Sequence, residues 1–155
     1  MGQEIERKFL VDKALWYEVR PEGTDYRQGY IVNTKGKIVR VRVAGAKGYL
    51  TIKGAIQGAT RAEFEYEIPV EEARQLLQFC EGPLIEKTRY KVEVEQHLWE
   101  VDEFSGENDG LIMAELELES EDQPFTKPAW VGPEVTDDLR YYNANLVKNP
   151  YSRWQ

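Results

Sequence analysis

The sequence predicts an α+β, mainly β domain: an eight-stranded antiparallel sheet closed into a barrel, with a charged lumen, helices packed outside and a C-terminal helix near one end. Three features carry that expectation. Apolar and charged residues alternate in eight segments of the 155-residue chain. Several neighbouring segments are joined by short glycine-containing loops, so antiparallel pairing is the default. The charged faces carry same-sign pairs, while the faces opposite them are strongly apolar.

The elements follow in order. Residues 3–11 alternate as a strand and 12–18 read as a short helix. Strands are expected at 26–33 (YRQGYIVN), 38–44 (IVRVRVA), 49–54 (YLTIKG) and 61–68 (RAEFEYEI). Residues 34–37 turn between the first two of these, and Gly45-Ala46-Lys47-Gly48 makes a hairpin loop. Pro69 closes the 61–68 strand. Residues 70–79 place Val70, Ala73, Leu76 and Leu77 at helical spacing, with acids in the first turn and Gly82-Pro83 beyond the end. Strands return at 85–94, 98–104 and 111–119, the first two joined near Gln96-His97. The segment 123–133 is proline-rich. Thr136 then offers an N-cap to a helix over 137–147 with Leu139, Tyr142, Leu146 and Val147 as its stripe. No internal repeat or linker appears, so residues 1–155 read as one domain.

Parity sorts the charges. Glu4, Glu6 and Lys8 share one face of the first strand, and Arg40 and Arg42 one face of the third. Glu63, Glu65 and Glu67 share a face of the fifth, and Lys87, Arg89 and Lys91 one of the sixth. Glu115, Glu117 and Glu119 share a face of the eighth. Same-face neighbours lie about 6.8 Å apart along a strand. Two like charges about 6 Å apart repel by roughly 2.8 kcal/mol at an effective dielectric near 20, and by less than about 1 kcal/mol in water. A wet outer face tolerates this pattern without help, whereas an enclosed one requires counter-charges or a ligand. The apolar faces (Val39/Val41/Val43, Leu50/Ile52, Phe64/Tyr66/Ile68, Leu116/Leu118) need cover, which helices at 70–79 and 136–147 can supply. With the apolar side outside under helices, a closed sheet turns its charged side inward.

Composition narrows the function. A net charge of −8 repels nucleic acid and anionic membrane, so neither partner is expected. The lone Cys80 makes no intrachain disulfide and no cysteine zinc site. The start MGQEIERK lacks the apolar stretch of a secretory leader. A cytoplasmic protein is expected, monomeric or homodimeric. His97 has no partner at metal-ligand or triad spacing, and Gly106-x-x-x-Gly110 lacks the Lys-Ser/Thr of a phosphate loop.

An enclosed set of arginines and lysines suits a compact polyanion, because phosphate oxygens match the guanidinium fork. Paired carboxylates without histidine or cysteine suit a hard divalent cation, Mg²⁺ or Mn²⁺. Glu4 and Glu6 are spaced to converge on one such ion, Glu115 and Glu117 can add a ligand, and Lys8 is left for phosphate. Together these are the parts needed for phosphoryl transfer.

The ordered set EIERK (4–8), YRQGYI (26–31), RVRV (40–43), LTIKG (50–54), EFEYEI (63–68), EKTRY (86–90), WEVDEF (99–104), AELEL (114–118) and EVTDDLRYYN (134–143) resembles the CYTH domain, or triphosphate tunnel metalloenzyme, superfamily. The likeness is strongest to its small stand-alone bacterial members. It implies an eight-stranded tunnel and metal-dependent chemistry on a small-molecule triphosphate. Activities in the superfamily include inorganic triphosphatase, nucleoside or RNA triphosphatase, thiamine triphosphatase and class IV adenylyl cyclase. A non-catalytic polyphosphate-binding module is the other alternative. By this resemblance Glu4, Glu6 and Glu117 hold metal, with Glu115 beside them, and Asp102 joins the metal set near Glu63 and Glu65. Lys8, Arg27, Arg40, Arg42, Lys53, Lys87 and Arg89 grip phosphate, Tyr30 hydrogen-bonds it, and Glu63 and Glu65 orient water. The helix carrying Arg140 stoppers one tunnel end. Thiamine-specific members carry a Trp before the Arg-x-Arg pair, where this chain has Ile38, and the loop 34–37 leaves little room for a base. Inorganic triphosphate, split to pyrophosphate and phosphate, is therefore the expected substrate.

Overall fold

The computed structural model describes residues 3–154. The strands are β1 (Gln3–Val11), β2 (Thr24–Asn33), β3 (Lys37–Ala44), β4 (Lys47–Gly54), β5 (Thr60–Ile68), β6 (Glu81–Val94), β7 (His97–Phe104), β8 (Ile112–Glu117) and β9 (Val131–Glu134). The helices are α1 (Lys13–Val19), α2 (Val70–Leu76) and α3 (Asn143–Lys148). The sheet runs β5-β4-β3-β2-β6-β7-β8-β1-β9, and a β5–β1 pairing closes the first eight into an antiparallel barrel.

Closure rests on β1. One of its edges pairs with β8, from Glu6↔Glu117 to Leu10↔Met113. Its other edge is shared: β5 takes the start (Glu4↔Arg61) and β9 the end (Phe9↔Glu134). The strand β9 was not anticipated, because its sequence VGPE has neither alternation nor apolar length.

The apolar cores lie mostly outside the wall. Trp16 of α1 packs with Phe9, Trp99, Leu116 and Trp130 over β1, β7 and β8. Asp12 caps α1 by accepting from the Leu15 amide, so the helix begins one residue after the expected start at 12. Helix α2 lays Ala73, and the 3-10 turn after it Leu77, on Val41 and Val43 of β3. Its approach to β4 is close: a Cβ on Gly48 would stand 2.6 Å from that of Ala73. The helical segment ends as a 3-10 turn at Leu77–Phe79, and Gly82 and Pro83 fall inside β6. There the β2–β6 register shifts between Gln28 and Tyr30, which accommodates a proline that cannot donate to the ladder.

Two expectations about cover need correction. The single helix expected over 137–147 is instead a 3-10 turn (Leu139–Tyr141) followed by α3. Tyr142 between them is extended, and Thr136 caps no helix, because its hydroxyl receives the Lys8 amide of β1. This segment does not lie on the outer wall. Leu146 and Val147 cluster with Tyr30, Ile38, Ile85, Phe104 and Met113, plugging one barrel end with apolar side chains. In consequence Ile52, Phe64 and Tyr66, on the outer face of β4 and β5, are exposed rather than covered.

Candidate active site

The rest of the lumen is ionic. It holds a cavity of about 250 Å³. β1 contributes Glu4, Glu6 and Lys8 to its wall, and β3 contributes Arg40 and Arg42. Lys53 comes from β4, Glu63 and Glu65 from β5, Arg89 from β6, and Glu115 and Glu117 from β8. Parity alone places them there, since each strand turns alternate residues inward.

The cations form one continuous bank. Arg40 donates to Thr51 at 3.1 Å and Glu65 at 3.3 Å, while its buried Nε has no partner. A buried guanidinium N–H without an acceptor is costly, and a phosphate oxygen would satisfy it. Arg42 donates through Nε to Gln28 at 2.8 Å. Burial, then Arg40 and Arg89, pull its pKa down to about 10. The guanidiniums of Arg42 and Arg89 lie 4.9 and 5.1 Å from the centre of the same ring, Tyr26, which holds them side by side. Burial and Arg40 also lower Lys53, outweighing Glu4. Cations crowded this way in a dry wall favour a polyanion.

Across the cavity stand the acids. Lys8 donates to Glu6 at 2.8 Å and Glu115 at 2.6 Å. Burial pushes its pKa down, but Glu115 and Glu6 overcome that and hold it above the ordinary lysine value. Burial, then Glu4, Glu63, Glu6 and Glu100, push the Glu117 carboxyl up to about 7. Among the described residues no group of three carboxylates forms a ready-made metal cage. Lys53 and Arg61 hold Glu4, and Lys8 holds Glu6 and Glu115. The donor set nevertheless fits a hard divalent ion, because it is all oxygen and its mutual repulsion at Glu117 is what a cation relieves.

Some expected site residues lie elsewhere. Arg27 points outward from β2, is 54% exposed and pairs with Glu86 at 3.4 Å. Arg140 is 55% exposed, clamps Asp138 and lies over the Trp154 ring. Neither lines the cavity; Tyr142, Asn143 and Ala144 reach it from the tail instead. Asp102 and Lys87, also expected in the site, face inward but are buried beneath the residues that line the cavity. Asp102 is fully engaged by Lys87 at 2.7 Å and by Arg89 at 2.7 and 2.9 Å. Burial raises the Asp102 carboxyl, yet Arg89 and Lys87 bring it down to about 2, so it stays ionised as their counter-charge. As it sits, it orients Arg89 and has no free oxygen to offer a metal. Lys87 also donates to Asn143 at 3.0 Å. Tyr30 is on the wall, its hydroxyl accepting from Gln28 at 3.2 Å.

Arg61, Lys91 and Glu100 line the cavity without having been expected. Each shares parity with a neighbour that was: Arg61 with Glu63, Lys91 with Arg89, and Glu100 with Asp102. The signal was present at these three positions.

Comparison with known proteins gives a consistent picture. The CYTH domain matches residues 2–151. An inorganic triphosphatase of Acetivibrio thermocellus is 56% identical over 156 residues, covering 100% of this chain and 99% of its own. An inorganic triphosphatase of Nitrosomonas europaea is 39% identical over 148 residues, covering 93% and 96%. Among solved structures, that of the inorganic triphosphatase NE1496 superposes with a TM-score of 0.64 at 36% identity, covering 95% of each chain.

Proposed function

The chain belongs to the CYTH domain family, and on that footing we propose that it hydrolyses inorganic triphosphate to pyrophosphate and phosphate with Mg²⁺ or Mn²⁺. One observation carries the reading beyond kinship. A bank of cations and a bank of carboxylates face a single cavity of about 250 Å³. A plain binding module needs only the first bank.

In this reading Glu4, Glu6 and Glu117 hold the cation, with Glu115 beside them. When bound, the cation neutralises charge on the phosphate oxygens and the leaving pyrophosphate. Lys8, Arg40, Arg42, Lys53 and Arg89 grip the triphosphate along its length. Lys87 supports the grip from behind, sharing Asp102 with Arg89. Hydrogen-bond polarity fixes Tyr30: Arg42 can only donate, so Gln28 turns its amide oxygen to Arg42 and its NH₂ to the phenol oxygen. The phenol hydrogen is thereby left for a phosphate oxygen. Glu63, whose carboxylate is 3.7 Å from Lys53, is freer than Glu65, which accepts from Arg40 and Thr51. Glu63 is therefore the better placed to orient and deprotonate the attacking water. We read the enzyme as cytoplasmic and monomeric or homodimeric; the net charge of −8 weighs against nucleic-acid and anionic-membrane partners. No helix among the described residues is long and apolar enough to cross a membrane.

Phosphate release from tripolyphosphate, ATP and thiamine triphosphate at matched metal tests the assignment. The highest kcat/KM is expected for tripolyphosphate. A higher value for either organic triphosphate would overturn the choice of substrate.

A further inference from the structure

Arg61, the second residue of β5, lies opposite Glu4 at the seam where β5 closes the barrel on β1. Its side chain is 11% exposed, and its Nε stands 3.5 Å from Glu4 Oε1. The same oxygen receives Lys53 Nζ at 3.2 Å. Two cations therefore share one carboxylate oxygen, and the Arg61 contact is the longer of the two. The guanidinium is also 5.8 Å from the centre of the Tyr142 ring, so the tail backs it on the plug side. A cation with a long contact to an over-subscribed acceptor is poised to change partners.

The charge count says when. Glu4 alone cannot balance Lys53, Arg61 and an arriving divalent ion at contact distance, so one or both side chains must let go. A triphosphate bound beside Glu4 offers the released guanidinium a bidentate acceptor. We propose that Arg61 is a hand-over residue: it occupies Glu4 in the metal-free protein and transfers to the triphosphate when the divalent cation takes Glu4. The inference rests on the metal reading above and adds a residue outside the motif set, with an order of events. The cation and Arg61 compete for Glu4 until triphosphate is present. Metal and triphosphate therefore strengthen each other's binding by the same factor.

Direct Mn²⁺ binding without triphosphate, followed by the electron paramagnetic resonance signal of free Mn²⁺, tests it. Arg61→Gln is expected to bind Mn²⁺ about three- to tenfold more tightly than wild type, the range a partly buried ion pair supports. In the same variant KM for tripolyphosphate at saturating Mn²⁺ is expected to rise at least fivefold. Unchanged or weaker Mn²⁺ binding would overturn the hand-over and leave Arg61 as a prop for Glu4. If wild type itself binds no Mn²⁺ at millimolar concentration, the metal reading falls as well, which separates the two failures. Should Arg61→Gln not fold, Arg61→Lys, which keeps the charge but shortens the reach, should move Mn²⁺ affinity in the same direction by a smaller factor. No change there would equally overturn the proposal.

Discussion

Replacing Glu117 by Gln should make the metal-free protein more stable at high pH while removing its metal-dependent activity. The Glu117 carboxyl sits at about 7 against an ordinary 4.5, because burial and then Glu4, Glu63, Glu6 and Glu100 oppose its charge. That gap corresponds to at most about 3.4 kcal/mol. The carboxyl is only half enclosed, and solvent screening brings the figure to about 1–2 kcal/mol. A folded-state pKa above the unfolded one gives stability that is complete below about 4.5 and lost as pH rises through about 7. Above that window the ionised group weakens the fold, and a neutral isostere relieves it. At pH 8 in EDTA, Glu117→Gln should therefore melt about 3–6 °C above wild type. At pH 4, where the carboxyl is largely protonated in the folded and the unfolded chain alike, the two should agree within about 1 °C. Added Mg²⁺ or Mn²⁺ should raise the melting temperature of wild type and do little for the variant. Scanning calorimetry across pH 4–8, with and without metal, reads all of this. A variant that melts below wild type at pH 8, or one stabilised equally at pH 4, would refute the reasoning.

Asp102→Asn leaves Lys87 and Arg89 without their buried counter-charge, so a loss of about 3–5 kcal/mol is expected, measured by urea unfolding. Arg40→Ala should lower kcat/KM for tripolyphosphate about 10- to 100-fold, with KM up and kcat down, since its fork serves ground and transition states alike. Arg27→Ala and Arg140→Ala should leave kcat/KM within about twofold, because both side chains pair outside the cavity; a tenfold loss for either would restore it to the site.

The barrel and its inward charges were legible because a strand's side-chain period is two, so position in sequence determines face. The strongly apolar faces opposite, which need cover, then indicated that the face with same-sign pairs such as Arg40/Arg42 and Glu63/Glu65 is the enclosed one. Where parity was set aside, the reading failed. Arg27 falls on the opposite face from Tyr26 and Tyr30, yet its place in the YRQGYI motif drew it into the site. Arg61 has the parity of Glu63 and was passed over. Depth along a strand was not legible at all. Asp102 and Arg89 are register partners, but only the folded barrel puts Arg89 on the cavity and Asp102 beneath it. The tail misled for a different reason. Residues 137–147 have helical spacing, but the Thr136 hydroxyl is taken by the Lys8 amide and the Tyr142 hydroxyl donates to the Thr136 carbonyl. Tertiary hydrogen bonds outweigh a weak local helix signal. The exposure of Ile52, Phe64 and Tyr66 follows from the same misreading, since the segment expected to cover that wall is spent on the plug.

Phosphorus NMR of tripolyphosphate incubated with the protein is the most direct test of a catalytic lumen. With Mg²⁺ or Mn²⁺, the triphosphate signals should give way to orthophosphate and pyrophosphate in equal amounts, and EDTA should stop the conversion. Tripolyphosphate left intact under either metal, or cleaved as fast in EDTA, would contradict a metal-assisted triphosphatase built from the inward face of this barrel.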